Sequence, residues 1–158
     1  MCFSATASFA VAGASGLAGA FTISRAKKLR EVPLAAIPLV FAAQQAIEGA
    51  LWLSLASGAH PSLDLALANA FALIALVIWP LLAPLAALLV EPANRRRAAL
   101  AVLLTLGILV AYFGICNTGA HPYAACVVGH TLSYVNGSLY PPAVKTRANM
   151  CGNPSSKT

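Results

Sequence analysis

The chain has 158 residues, 59% of them hydrophobic and only 9% charged, with a formal net charge of +6. Soluble globular domains carry about 25% charged residues, so this composition cannot cover a water-facing surface. A basic nucleic-acid-binding face is also excluded. Seven of the ten basic residues sit in two short stretches, Arg25 to Arg30 and Arg95 to Arg97, and none lies inside an apolar run, which is how a multi-pass membrane protein distributes its charge.

Four apolar runs follow in chain order: Ala5 to Ile23, Pro33 to Ala56, Leu63 to Val90 and Ala98 to Ile115. A spanning helix needs about 20 residues, with a range of about 17–25. The runs are continuous in Ala and Leu, not alternating, so a closed barrel is disfavoured. The expected fold is all-α, a polytopic membrane bundle of four transmembrane helices. The first run is not expected to be cleaved as a signal peptide, because its basic residues follow the apolar stretch. Cys2 precedes that stretch, so a lipoprotein anchor is not expected either.

Loops rich in Lys and Arg stay in the cytoplasm. "SRAKKLREV" and "EPANRRR" are such loops, and "SGAHPSLD" carries no Lys or Arg. The N-terminus is therefore expected outside, with everything after the fourth helix. Cys2, Cys116, Cys126 and Cys151 then share the external side, where disulfides are permitted. The segment "AACVVGHTLSYVNGSLYPPAV" is the alternative fifth span, since it would bring Lys145 and Arg147 inside; His130, Asn136, Pro141 and Pro142 argue against it. The organisation expected is a bundle over residues 1–123 and an external or peripheral, partly disordered segment over 124–158.

Within the first run, Ser8, Ala12, Gly16 and Ala20 form a small-residue stripe along which another helix can approach closely. The second run, "PLAAIPLVFAAQQAIEGALWLSL", is the informative one. Gln44, Gln45 and Glu48 cluster on one helical face by their three- and four-residue spacing, and Trp52 continues it one turn further. An ionisable residue at membrane depth is costly and marks a candidate functional site; the bland alternative is a packing hydrogen bond. Glu48 lies roughly 22 Å from the inner end of its helix, in the outer half of the membrane. No Lys or Arg lies in any span. Its partner must be a chain terminus, an external histidine, a bound cation or its own proton.

In the third run, Ser62 is expected to cap the helix and Asp64 to sit in its first turn, where the helix dipole favours negative charge. Asn69 is placed near the depth of Glu48 and expected to share its polar cluster. Pro80 and Pro84 bend the inner half, and Trp79 reads as packing. His60, His121 and His130 all fall outside or near the outer interface, with no strong metal-ligand spacing among them.

"MCFSATASF", with "QQAIEGALW" in the second helix, resembles a family of uncharacterised bacterial multi-pass membrane proteins. Its members begin MCFSAxASF and carry a QQxxEG(x)xW segment. The resemblance covers residues 1–60 well and thins through the fourth helix, where "HTLSY" at His130 to Tyr134 is similar to an H-x-x-x-Y element. Family members are longer, so this chain reads as a truncated or diverged member. The resemblance implies location in the bacterial inner membrane and brings forward Cys2, Phe3, Ser4, Gln44, Gln45, Glu48 and Trp52. It implies no activity.

If the initiator Met is removed, Cys2 offers an amine and a thiol near the outer end of the second helix. The first expectation is an outer-leaflet site of Cys2, Gln44, Gln45, Glu48 and Trp52 that binds a metal ion or small ligand. Cys2, Glu48 and His130 would be the metal ligands and a transition metal the cofactor, since Cys and His suit zinc or copper. The alternatives are a small proton-coupled transporter using Glu48, an external thiol oxidoreductase, and a truncated structural bundle without activity of its own. Classical hydrolase, nucleotide-binding and nucleic-acid motifs are lacking, so an enzyme is the less expected reading. The partners expected are the lipid bilayer and a second copy of the chain, with no nucleic acid.

Overall fold

The computed structural model describes residues 4–58, 60–128 and 131–136. Among the described residues, four helical rods are long and apolar enough to cross a membrane. The first is α1, Ala5–Arg25. Ser4 caps it, its side chain accepting from the Ala7 N–H at 3.2 Å, and the Ser8 hydroxyl donates to the Ser4 carbonyl. These opening hydroxyl residues thus serve the helix start, whose first N–H groups lack helical partners.

The Glu31 carboxylate folds the basic loop by accepting from the backbone N–H groups of Lys27 and Lys28. After a 3-10 turn over Leu29–Glu31, α2 runs from Val32 to Ser57 and ends at Gly58, whose φ of 60° is the left-handed stop glycine permits. The third rod is composite: α3 over Pro61–Leu73, a π-turn over Ile74–Ile78, and α4 over Trp79–Val90. Its sequence explains the interruption. Pro80 has no N–H and would collide with the turn before it. The chain widens there, and the Trp79 N–H reaches the Ile74 carbonyl five residues back. At the start of α3, Ser62 is not the cap that was expected. Pro61 takes the first helical position, which proline prefers, so the cap falls to His60, which makes no side-chain capping bond.

The fourth rod is α5, Asn94–Ala120. The helices form a row: α1 on α2, α2 on α3 and α4, and the π-turn and α4 on α5. Close approaches hold the row. Gly19 lies against Leu39, Gly49 against the Phe9 ring, and Gly16 faces Ala42. The α1 stripe therefore follows Ser8, Ala12 and Gly16 and then steps to buried Gly19, leaving Ala20 exposed. The buried apolar core is thin and mostly alanine, while Leu17, Phe21, Val102 and Phe113 are well exposed. That is the inverse of a soluble bundle and suits lipid on the outside.

The two basic loops come together at one end of the row, through contact of the 3-10 turn with α4. Beyond the far end of α5, residues 123–128 and 131–136 are not the alternative fifth helix. They form an antiparallel hairpin, β1 over Tyr123–Val128 and β2 over Thr131–Asn136. Val127, Thr131, Tyr134 and Val135 are β-branched or aromatic and favour a strand over a polar-studded helix. The hairpin lies on α3. Asn69 clamps it, donating to the Tyr123 carbonyl at 3.2 Å and accepting from the Tyr123 N–H at 2.9 Å. Tyr134 stacks on Phe71 with ring centroids 4.6 Å apart, and the Asn136 amide donates to the His121 carbonyl.

Asn69→Leu would strip both Tyr123 backbone groups of their side-chain partner at a cost of about 1–3 kcal/mol. Hydrogen exchange should then lose protection over residues 123–136, with α1 and α2 unchanged.

Candidate functional site

Gln44, Gln45 and Glu48 are all buried, Glu48 to 3% exposure. They sit on α2 in the middle of the row. The Gln45 amide donates to Glu48 Oε2 at 3.4 Å, and the Gln44 carbonyl oxygen accepts from the Trp79 indole N–H at 2.5 Å. The α2 face bearing Glu48 is thus tied across to the third rod just past its π-turn. Phe41 supports the same tryptophan edge-on, with centroids 6.4 Å apart. Trp79 is therefore more than packing. The signal was available: a mid-span indole has an N–H that requires an acceptor, and Gln44 is the acceptor of matching depth.

Glu48 has no cationic partner among the described residues, where Arg96–Glu91 at 3.9 Å is the one ion pair. Asn69, expected to join this cluster, does not. Its amide is spent on the Leu65 and Tyr123 carbonyls and its oxygen on the Tyr123 N–H, because the incoming strand needs its backbone satisfied.

Trp52 lies one turn beyond Glu48, half-buried, in an apolar cluster with Leu51, Ala68, Leu132 and Tyr134. Glu48 and Phe71 each lie about 15 Å from the far ends of their helices at 1.5 Å rise per residue. The Tyr134 ring stacked on Phe71 therefore brings the hairpin down to the depth of Glu48. Trp52 thus packs with Leu132 and Tyr134 of the hairpin one turn beyond Glu48, and Trp79 is bonded to Gln44 one turn before it. Among the described residues, the buried Trp52 Nε1, Ser54 Oγ, Asp64 Oδ1 and Thr118 Oγ1 at the far end have no hydrogen-bond partner. Asp64 stands in the first turn of α3, as its sequence position predicts. Such orphaned atoms ordinarily take water or a ligand.

Cys2 and His130 lie outside the described residues. Among the described residues no group of three or more His, Cys, Asp or Glu could hold a metal ion. Cys116 is a free, exposed thiol on α5. Cys126, in β1, is disulfide-bonded.

A family model described as a family of unknown function (DUF6629) matches residues 1–147. It extends well beyond the 1–60 stretch that carries the opening and second-helix motifs. No curated protein and no solved structure matches the chain.

Proposed function

The chain belongs to that family of unknown function, and on that premise we propose that it is a multi-pass protein of the bacterial inner membrane whose outer half binds a metal ion or a small cationic ligand at Glu48. The N-terminus and the hairpin face outside. Support for this orientation comes from the gathering of both basic loops at the opposite end. The disulfide at Cys126 also suits an oxidising compartment.

One observation carries the binding reading. Glu48 is 3% exposed and its hydrogen-bond partner is the neutral Gln45 amide. A carboxylate buried without a countercharge is too costly to persist, so the site needs a cation or a proton. Gln44, Gln45 and Trp52 supply the polar and aromatic surround, and Cys2 and His130 are the outer ligands proposed for a metal. Elemental analysis of detergent-purified protein tests this. Stoichiometric metal in the wild type, lost in both Cys2→Ala and Glu48→Gln, is the expected result. Metal retained in both variants sinks the metal form of the reading.

A second reading is a proton-coupled transporter that alternates the proton on Glu48 with substrate. The π-turn at Ile74–Ile78 favours it, because such turns often mark functional hinges. This one stands directly before the tryptophan bonded to Gln44.

A further inference from the structure

A second feature lies at the basic end, far from Glu48. Leu29, Arg30, Val32, Pro33 and Leu89 line an open apolar groove of about 540 Å³ where the 3-10 turn meets the end of α4. Leu29 is 88% exposed, an unusual position for a leucine flanked by Lys28 and Arg30. Arg30 is exposed and makes no ion pair among the described residues. Of the two carboxylates at this end, Glu31 bonds the Lys27 and Lys28 backbone and shares the field of Lys28 and Arg30, and Glu91 takes the Ala93 N–H and Arg96. The groove therefore joins an apolar floor to an exposed basic rim, Arg30 with Lys27, Lys28 and Arg95 close in sequence, on which cations outnumber carboxylates.

We infer that this groove binds one anionic phospholipid of the inner leaflet. Its acyl chain lies along Val32, Pro33 and Leu89, and its phosphate sits against Arg30. The charge decides the occupant: a zwitterionic lipid offers the same apolar contact and the same phosphate, but its own cation is repelled by the surrounding Lys and Arg, whereas an anionic headgroup keeps a net negative charge at the basic rim. The inference rests on the membrane reading above, and the test separates the two.

The full-length protein is purified in detergent, delipidated, and titrated with phosphatidylglycerol or phosphatidylcholine of identical acyl chains, with binding read by native mass spectrometry. Phosphatidylglycerol should bind in preference. Arg30→Gln, an exposed and foldable change, should weaken it about five-fold, the effect of one basic residue near an anionic surface. Leu89→Trp should block the groove for both lipids. Equal binding of the two lipids overturns the inference. So does an Arg30→Gln variant that keeps the preference, competition by glycerol phosphate as effective as the lipid itself, or a doubled mass that Leu89→Trp abolishes, which would make a second copy the occupant. Release of the protein from membranes by alkaline carbonate without detergent would instead overturn the membrane reading.

Discussion

Replacing Gly107 with leucine is expected to cost about 2–3 kcal/mol of stability, at the upper end for overpacking a tight contact. Pro84 has no N–H to give the Pro80 carbonyl four residues before it. The backbone of α5 comes onto that carbonyl at Gly107, where an added Cβ would run into the Pro80 oxygen. Seven residues on, Gly114 meets Leu76, four before Pro80, with its Cβ position 3.0 Å from the Leu76 Cβ. A glycine Cα–H can approach a carbonyl as a weak donor, and nothing larger fits without parting the helices. Gly13 and Gly119 supply the controls, since a Cβ at either meets nothing within 4 Å. Leucine there should be neutral or slightly stabilising, because it gains helix propensity of about 0.8–1 kcal/mol over glycine. Thermal unfolding in detergent, followed by circular dichroism, checks the contrast. Equal melting of all three variants would mean that α5 does not seat on the proline-bearing rod.

Different parts of this molecule were legible in the sequence for different physical reasons. The four rods follow from apolar length and the placement of Lys and Arg, which a bilayer dictates almost alone. The Gln44–Gln45–Glu48 cluster follows from helical spacing within one element. What escaped depends on which helix lies beside which. The Trp79–Gln44 hydrogen bond pairs residues 35 apart in sequence, and the Asn69–Tyr123 clamp pairs residues 54 apart. Spacing within a helix carries no information on either. Gly107, Ala111, Gly114 and Thr118 are the buried positions of α5. Their four-, three- and four-residue steps form a small-residue face that the sequence does contain, but its partner, a carbonyl bared by proline on another rod, shows only in three dimensions. The hairpin was missed as a structure because short strands with one apolar and one polar face give a weak signal beside long hydrophobic helices.

Glu48→Gln is expected to leave the protein as stable as the wild type or more so, while weakening cation or ligand binding by at least about thirty-fold, the low end for truncating one partner of a buried charge pair. The two effects point in opposite directions, and that separates the readings of Glu48. Were it a packing residue, its role would be the hydrogen bond with Gln45. Glutamine keeps the size but changes the hydrogen-bonding of one oxygen, so stability would fall and no bound species would change. Were it a binding or proton-carrying residue, the wild type carries the cost of a buried ionisable group that glutamine removes. The chain's own two tryptophans report on the site, since Trp52 lies one turn from Glu48 and Trp79 is bonded to Gln44. Their emission in the wild type should change on adding the bound cation at fixed pH, because a charge enters the cluster. Glu48→Gln should abolish that response, and Trp79→Phe should remove the part that travels through Gln44. A wild type that is silent to the cation, with Glu48→Gln less stable, would assign Glu48 to packing alone.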